Sequence, residues 1–352
     1  VVRGLEQETS VADTQGLTAN RRSGAFQTHR EQKRYWIILS IIVFAGLSCA
    51  FGLLVYKNPM PFGTQRFWLI AERRTNAIIA MALVAFCQSL ATVAFQTVTN
   101  NRIITPSIMG FESLYRVIHT STVFFFGSVG LMQSRTVPMF LLQLALMIGL
   151  SMVLYAWLLT GKNSNMHALL LIGIIIGAGL GSLATFMQRL LTPSEFDVLT
   201  ARLFGSISNA DPVYFPIAIP LALVAGGALL VMARQLNLLQ LGREVAINAG
   251  MNYKVLSVLT LVLVSVLMAT STALVGPMTF LGFLVATLAY QCANTFDHRY
   301  VFPMAWALGF VILTSAYFVM NHIFYAQGVV SIIIELVGGI IFLIVILKKG
   351  RL

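Results

Sequence analysis

Ten long apolar stretches, divided by short polar segments, constrain this chain more than any single motif does. They cover residues 35–56, 76–97, 107–131, 137–160, 166–190, 213–234, 253–275, 277–295, 301–320 and 329–348. A helix needs about 20 apolar residues to cross the hydrocarbon layer of a bilayer, and each stretch comes close. The runs are continuous, whereas the strands of a membrane barrel alternate over about 10-residue segments. The expectation is therefore an all-α, polytopic membrane protein of about ten transmembrane helices. Composition agrees: 58% of the 352 residues are hydrophobic and 10% are charged, against about 45–50% and about 25% in soluble domains. Apolar surface on this scale cannot be hidden in one globular core, and lipid removes the need to hide it.

A formal net charge of +11 fits nucleic acid or a membrane surface. The basic residues sit at the ends of the apolar runs and form no stripe with interleaved aromatics. That pattern argues for a membrane and against nucleic acid. With the N-terminus inside, the inner segments hold most of the 23 Lys and Arg, as the positive-inside rule requires. An even number of spans then leaves both termini in the cytoplasm. No signal-peptide pattern opens the sequence. Residues 1–34 are polar and read as a flexible cytoplasmic tail, and 35–352 as the transmembrane domain. Cys49, Cys87 and Cys292 each lie inside an apolar run without a neighbour at ligand spacing, so no metal centre or disulfide framework is expected.

Three loops are longer than the rest. Segment 57–75 is outer and carries Arg66, Arg73 and Arg74, a positive cluster on the side where few are expected. Segment 191–212 is also outer. Segment 235–254 is inner and polar, and its middle, closed by Gly250, reads as a short helix. An exposed inner helix between two spans suits a cytosolic partner. Gly276-Pro277 interrupts an apolar run too long for one span and reads as a tight outer turn.

Ionisable groups within spans are costly and usually face a bundle interior or a wet cavity. Glu112, Arg116 and His119 share one helical face at i, i+4 and i+7. They form either a polar wall beside a transport path or a structural ion pair with Glu112 snorkelling to the surface. Glu335, in the last stretch, has either a cavity-facing or interhelical role or is a packed, protonated carboxyl. Gly173, Gly177 and Gly181 form a ridge that lets another backbone approach closely. Such a ridge serves packing, gating or both.

These pieces, in this order, resemble the FecCD family of permeases of ABC importers for iron–siderophores, haem and cobalamin, over roughly residues 60–350. Gln96-Thr97, Asn100-Asn101, Pro106 and Gly110 are similar to the family's Q-x-x-x-x-N-P-L-x-x-P-x-x-x-G segment, with Arg102-Ile103 in place of Pro-Leu. Leu241, Gly242, Ala246 and Gly250 resemble its L-G-x-x-x-A-x-x-L-G coupling motif, which includes Arg243 and Glu244 here. The run Gly276-Pro277-Met278-Thr279-Phe280-Leu281-Gly282-Phe283-Leu284-Val285 is similar to its G-P-I-x-F-[VL]-G-L-[LIV]-[VA] signature, the most specific match. Asp297-His298-Arg299 with Pro303 fits its D-H-R…P element. Departures at 72–75, 286–290 and 327–331 resemble the enterochelin, anguibactin and vibriobactin branch.

The resemblance implies the cobalamin-permease-like, type II importer fold and a ferric siderophore as substrate. It implies a homologous second permease chain in a heterodimer, two cytosolic ATP-binding subunits and a periplasmic or lipid-anchored siderophore-binding protein, all in the bacterial cytoplasmic (inner) membrane. It makes Leu241–Gly250 the ATPase-coupling loop, and Arg66, Arg73 and Arg74 the residues that receive the binding protein. The chain has no G-x-x-x-x-G-K-[ST] loop; it binds no cofactor directly, and ATP is used by the partner subunit. It is a transport subunit rather than an enzyme. The rival reading is an ion-coupled secondary transporter with Glu112, His119 and Glu335 as a proton relay. An intramembrane enzyme is a third class, for which no convergent catalytic set stands out beyond Glu112 and His119.

Overall fold

A computed structural model describes residues 24–56, 60–61, 63–133, 136–160, 166–322 and 330–349. Every one of the apolar stretches carries a helix, and no strand occurs among the described residues. The long helices are α1 (His29–Val55), α2 (Gln65–Thr99), α3 (Phe111–Gln133), α4 (Val137–Thr160) and α5 (Met166–Gln188). A short α6 (Pro193–Leu203) precedes α7 (Phe215–Val231), and two further short helices, α8 (Ala233–Leu239) and α9 (Arg243–Asn248), lead to α10 (Tyr253–Val275). Then come α11 (Leu281–Ala293), α12 (His298–His322) and α13 (Val330–Lys349). Among the described residues six helices are long and apolar enough to span a bilayer by themselves, and shorter apolar helices accompany them.

Burial sorts the bundle into centre and rim. In α2, 83% of the apolar window is buried, against 17% in α1. α2 packs against α7, α10, α11 and α12. It can do so because its neighbours offer glycines where it passes. A methyl at Gly226 of α7 would fall on the Phe86 ring, one at Gly282 of α11 on the Thr92 hydroxyl, and one at Gly309 of α12 would lie 3.2 Å from Ala85. Between apolar helices in lipid, association rests on such close contact rather than on exclusion of water. α1 lies on the rim against α12 and presents Ile37, Ile41, Phe44, Leu47 and Phe51 outward, the faces that lipid solvates.

α1 begins at His29, ahead of its apolar run, through a capping box: Thr28 Oγ1 accepts from the Glu31 N–H, and Glu31 Oε2 accepts from the Thr28 N–H, both at 3.3 Å. The residues just before it are packed, with Phe26 against the Tyr35 and Tyr300 rings and Ala25 O accepting from Thr295 Oγ1 at 2.7 Å. Residues 1–23 of the expected tail lie outside the described residues.

Two places depart from simple spanning helices. Residues 100–110 run inward from the end of α2, through a 3₁₀ turn at Pro106–Met109, before α3 starts. Residues 276–280 separate α10 from α11 as non-helical backbone; Gly276 takes φ 90°. With only 13 residues, α11 is about 20 Å long at about 1.5 Å per residue, shorter than the hydrocarbon layer of about 30 Å. It does not stand alone in lipid. Gly276, Pro277 and Met278 are buried, and the free backbone is met by protein, as when the Ser206 N–H donates to Val275 O at 2.8 Å. Irregular backbone at membrane depth is tolerated only under that condition. The expected turn at Gly276-Pro277 is thus a buried break inside the bundle.

Candidate translocation and coupling sites

The break at 276–280 and the start of α3 meet. The Thr279 hydroxyl donates to Glu112 Oε2 at 2.7 Å, while Glu112 Oε1 is buried without a hydrogen bond. Glu112 is 8% exposed, so it does not snorkel to a surface. Arg116, one turn on, is exposed and lies within electrostatic reach of both Glu112 and Glu335. Among the described residues these three form no close ion pair. The structure therefore groups Glu112 and Arg116 of α3 with Glu335 of α13, and Glu112 takes a hydrogen bond from Thr279 rather than a close ion pair with Arg116. Gly338, one turn beyond Glu335, seats α13 on the Phe280 backbone and Cβ.

His119 sits farther along the same face, 6% exposed, its ring 4.3 Å from that of Tyr115. Tyr115 in turn donates to Arg202 O at 3.4 Å, tying α3 to the end of α6. His119 Nε2 and Arg202 Nη1 are both buried without a hydrogen bond. The glycine ridge of α5 packs where α3 begins: Gly173 faces Met109, Gly177 lies against Gly110, and Gly181 faces Ser113. Gly110 has φ 98° and a Cβ there would come 3.1 Å from Gly177 Cα, so both glycines are required for this contact.

The expected coupling segment is at the bundle end where α2 finishes and α12 starts. Gly242, with φ 99°, turns the chain into α9. Leu241, Arg243, Glu244, Val245, Ile247 and Gly250 are exposed while Ala246 is buried. A six-residue helix so exposed cannot be stable by itself; Ala246 anchors it, and its remaining apolar side chains, Leu241, Val245 and Ile247, face outward. Beside it, Thr97 and the Asp297-His298-Arg299 element converge with Asn237 on one polar cluster. Asn237 Nδ2 donates to Asp297 Oδ1 at 2.9 Å, and Asn237 Oδ1 accepts from the His298 N–H at 2.9 Å and faces His298 Nδ1 at 2.6 Å. His298 Nε2 lies 2.6 Å from Thr97 Oγ1. Arg299 forks onto Asp297. Partial burial pushes the Asp297 carboxyl up, but hydrogen bonds from Arg299 and Asn237 overcome this and hold it below the usual carboxylate range. Next to the cluster, Arg102 stacks between the Tyr290 and Phe296 rings at 4.6 and 4.7 Å, and a polar cavity of about 300 Å³ is lined by Gln96, Asn100, Arg102 and Gln240.

At the opposite end the arginine cluster divides. Arg66 and Arg73 are exposed. Arg74 Nη1 donates to the carbonyls of Leu53, Leu54 and Tyr56 at 3.0, 3.1 and 3.0 Å, closing the C-terminal end of α1 where carbonyls lack helical partners. The roles of Thr279, Asn237, Gln240 and Arg202 were not read from sequence. Thr279 and Thr97 stood inside recognised motifs, but nothing local marks which distant residue they touch.

A buried, broken-helix bundle with a polar group beside the break and a projecting helix at one end defines a polytopic transport permease. The FecCD transport family matches residues 32–348, and the chain belongs to that family. Its members are transport subunits whose ATP hydrolysis is carried by partner subunits. The petrobactin import system permease protein FatC of Bacillus anthracis is 53% identical over 346 residues, 98% of each chain. The petrobactin import system permease protein YclO of Bacillus subtilis (strain 168) is 37% identical over 279 residues, 79% of this chain and 89% of that one. A solved inward-facing metal-chelate type ABC transporter superposes with a TM-score of 0.74 at 21% identity, covering 89% of this chain and 99% of the other, which establishes the fold.

Proposed function

We propose that this chain is one of two different permease chains in an ABC importer that carries a ferric siderophore of the petrobactin type across the bacterial cytoplasmic membrane. The observation that carries this reading is the 53% identity to FatC along 98% of both chains. In this reading both termini are cytoplasmic, as the distribution of Lys and Arg favours. A cytosolic ATP-binding subunit seats on Leu241–Gly250, whose exposed apolar side chains and exposed Arg243 and Glu244 suit a protein partner. A siderophore-binding protein docks at the other end on Arg66 and Arg73. The path runs beside the face of α3 that carries Glu112, Arg116 and His119, with Glu335 opposite and the Gly173–Gly177–Gly181 ridge as a smooth bearing. The second permease covers the outward apolar faces of α5 and α13, which include Ile175, Leu183, Leu336 and Ile340.

The test is uptake into vesicles that hold the assembled complex, with the binding protein supplied and a panel of ferric siderophores offered. Ferric petrobactin is expected to enter only when the partner subunit hydrolyses ATP. Uptake that survives an inactive ATPase and collapses with the proton gradient would instead support the carboxylate relay of an ion-coupled transporter.

A further inference from the structure

We infer that Thr97, Asn237 and His298 form the joint that fixes the coupling loop to the transmembrane bundle, and that this joint transmits the ATPase stroke. The inference rests on the coupling reading above and adds the residues through which motion leaves the loop. Asn237 stands on α8, four residues before Leu241. Its amide is used at both ends, by Asp297 on one side and by the His298 N–H on the other. Because the Asp297 carboxylate only accepts and the His298 backbone only donates, the amide orientation is settled. Asn237 Oδ1 therefore requires a proton on His298 Nδ1, which lies 2.6 Å away. In the neutral imidazole Nε2 is then an acceptor. The Thr97 hydroxyl, 2.6 Å from it and 2.9 Å from Val93 O, turns its one proton to the ring, because the carbonyl lies inside a helix whose backbone N–H groups can serve it. One chain of directed bonds thus runs from α2, through the first residue of α12, to α8.

Burial makes this chain stiff. His298 is 0% exposed and Thr97, at the wall of the polar cavity, 2%, and a buried network of this kind is electrostatically stronger than an exposed one. Thr97 is in the last turn of the central helix α2, and α2 packs on α7, α10, α11 and α12. A push on the coupling loop that moved α8 would therefore pull on α2 and α12 together. The loop itself has only Ala246 buried; α8 also rests on the bundle through buried Ala233, Leu236 and Leu239, and the bonds add fixed direction to that apolar contact.

The experiment uses the complete complex in nanodiscs and compares basal ATP turnover with turnover stimulated by the loaded binding protein. Thr97→Val keeps the shape and removes the hydroxyl; Thr97→Ser keeps the hydroxyl. Thr97→Val and Asn237→Leu are expected to lose about fivefold or more of the stimulated turnover, the range of a typical coupling between sites. Basal turnover and subunit stoichiometry stay as in the parent, and Thr97→Ser behaves as the parent. Stimulation unchanged in Thr97→Val overturns the joint, as does a parallel loss of basal and stimulated turnover. If Asn237→Leu fails to assemble, the Thr97 pair decides. Glu244→Arg is run alongside: if it uncouples and Thr97→Val does not, the joint alone fails, whereas if Glu244→Arg is also fully stimulated, the coupling reading fails first.

Discussion

The Thr279 hydroxyl and Glu112 Oε2, 2.7 Å apart, join the start of α3 to the one buried stretch between α10 and α11 that has left the helix. A carboxylate in a bundle is costly unless bonded, and a break in a membrane helix is costly unless its surroundings meet it. Each feature here relieves part of the other. Thr279→Val should therefore do more harm than loss of a methyl-sized contact suggests, because it leaves the carboxyl group without its partner. The expected destabilisation is about 1–3 kcal/mol, read as a lower unfolding temperature of the detergent-solubilised chain. Glu112→Leu combined with Thr279→Val should recover part of that loss, since removing both partners leaves nothing unsatisfied. Equal or greater damage in the double variant would show that the bond is not what stabilises the junction.

Gly205 is a second point where the break depends on a missing side chain. A methyl at Gly205 would overlap the carbonyl of Pro277, and Gly276 packs 3.1 Å from Gly205 Cα when given a Cβ. Backbone atoms cannot rotate away as a long side chain does. Gly205→Ala is expected to cost about 1–3 kcal/mol by overpacking, whereas Gly227→Ala, with open space around it, should be nearly silent. Thermal unfolding of both variants in one detergent checks the contrast.

The division between what was legible and what was not follows physical range. Helix existence was legible because a spanning helix needs a long apolar run, and α4, α10 and α12 fall within a few residues of the expected stretches. The short helix α9 was legible because a polar, Gly-bounded run between apolar stretches is local. Glu112 was recognised as unusual, but spacing leaves its partner open: Arg116 is the cation one turn away, while the hydrogen bond comes from Thr279, 167 residues away. Likewise nothing near Arg74 in sequence distinguishes it from Arg73, but one caps α1 and the other is exposed. Gly276-Pro277 was read as a turn, correctly as an interruption, but depth in the bundle is a tertiary property that no dipeptide reveals.

Glu244 is exposed in the first turn of α9, so reversing its charge touches no buried contact. Glu244→Arg should leave insertion and basal ATP turnover intact and abolish most siderophore-dependent turnover. Gly242→Trp adds strain, since φ 99° disfavours any side chain, and should be the more severe of the two. Measuring both turnover and membrane insertion separates loss of coupling from loss of protein.

The Asp297 carboxyl lies below the usual carboxylate range, with burial opposing and the Arg299 and Asn237 bonds prevailing. A depressed folded pKa means the contribution is present above the unfolded value and disappears as pH falls through the folded one. Acidification below the ordinary Asp range of about 4 is expected to weaken the cluster, and an Asp297→Asn variant should lose that part of its pH dependence while being less stable at neutral pH. Unfolding temperatures measured from pH 3 to pH 7 decide it; identical profiles for the two proteins would remove the assignment.

Arg66 and Arg73 stand exposed at the end of the bundle opposite α9, and exposed charges act mainly through steering and long-range attraction. Arg66→Glu with Arg73→Glu should slow association of the binding protein by roughly tenfold or more at low salt. The difference should shrink at physiological ionic strength, where the Debye length is about 8 Å. Arg74→Glu is predicted to behave differently, because its guanidinium holds three carbonyls of the α1 terminus. It should lower stability at every salt concentration instead of producing a screened change in on-rate. Binding kinetics at two ionic strengths, paired with unfolding temperatures, separate a docking charge from a capping one. A salt-independent defect in the Arg66 and Arg73 variant would move the docking surface elsewhere.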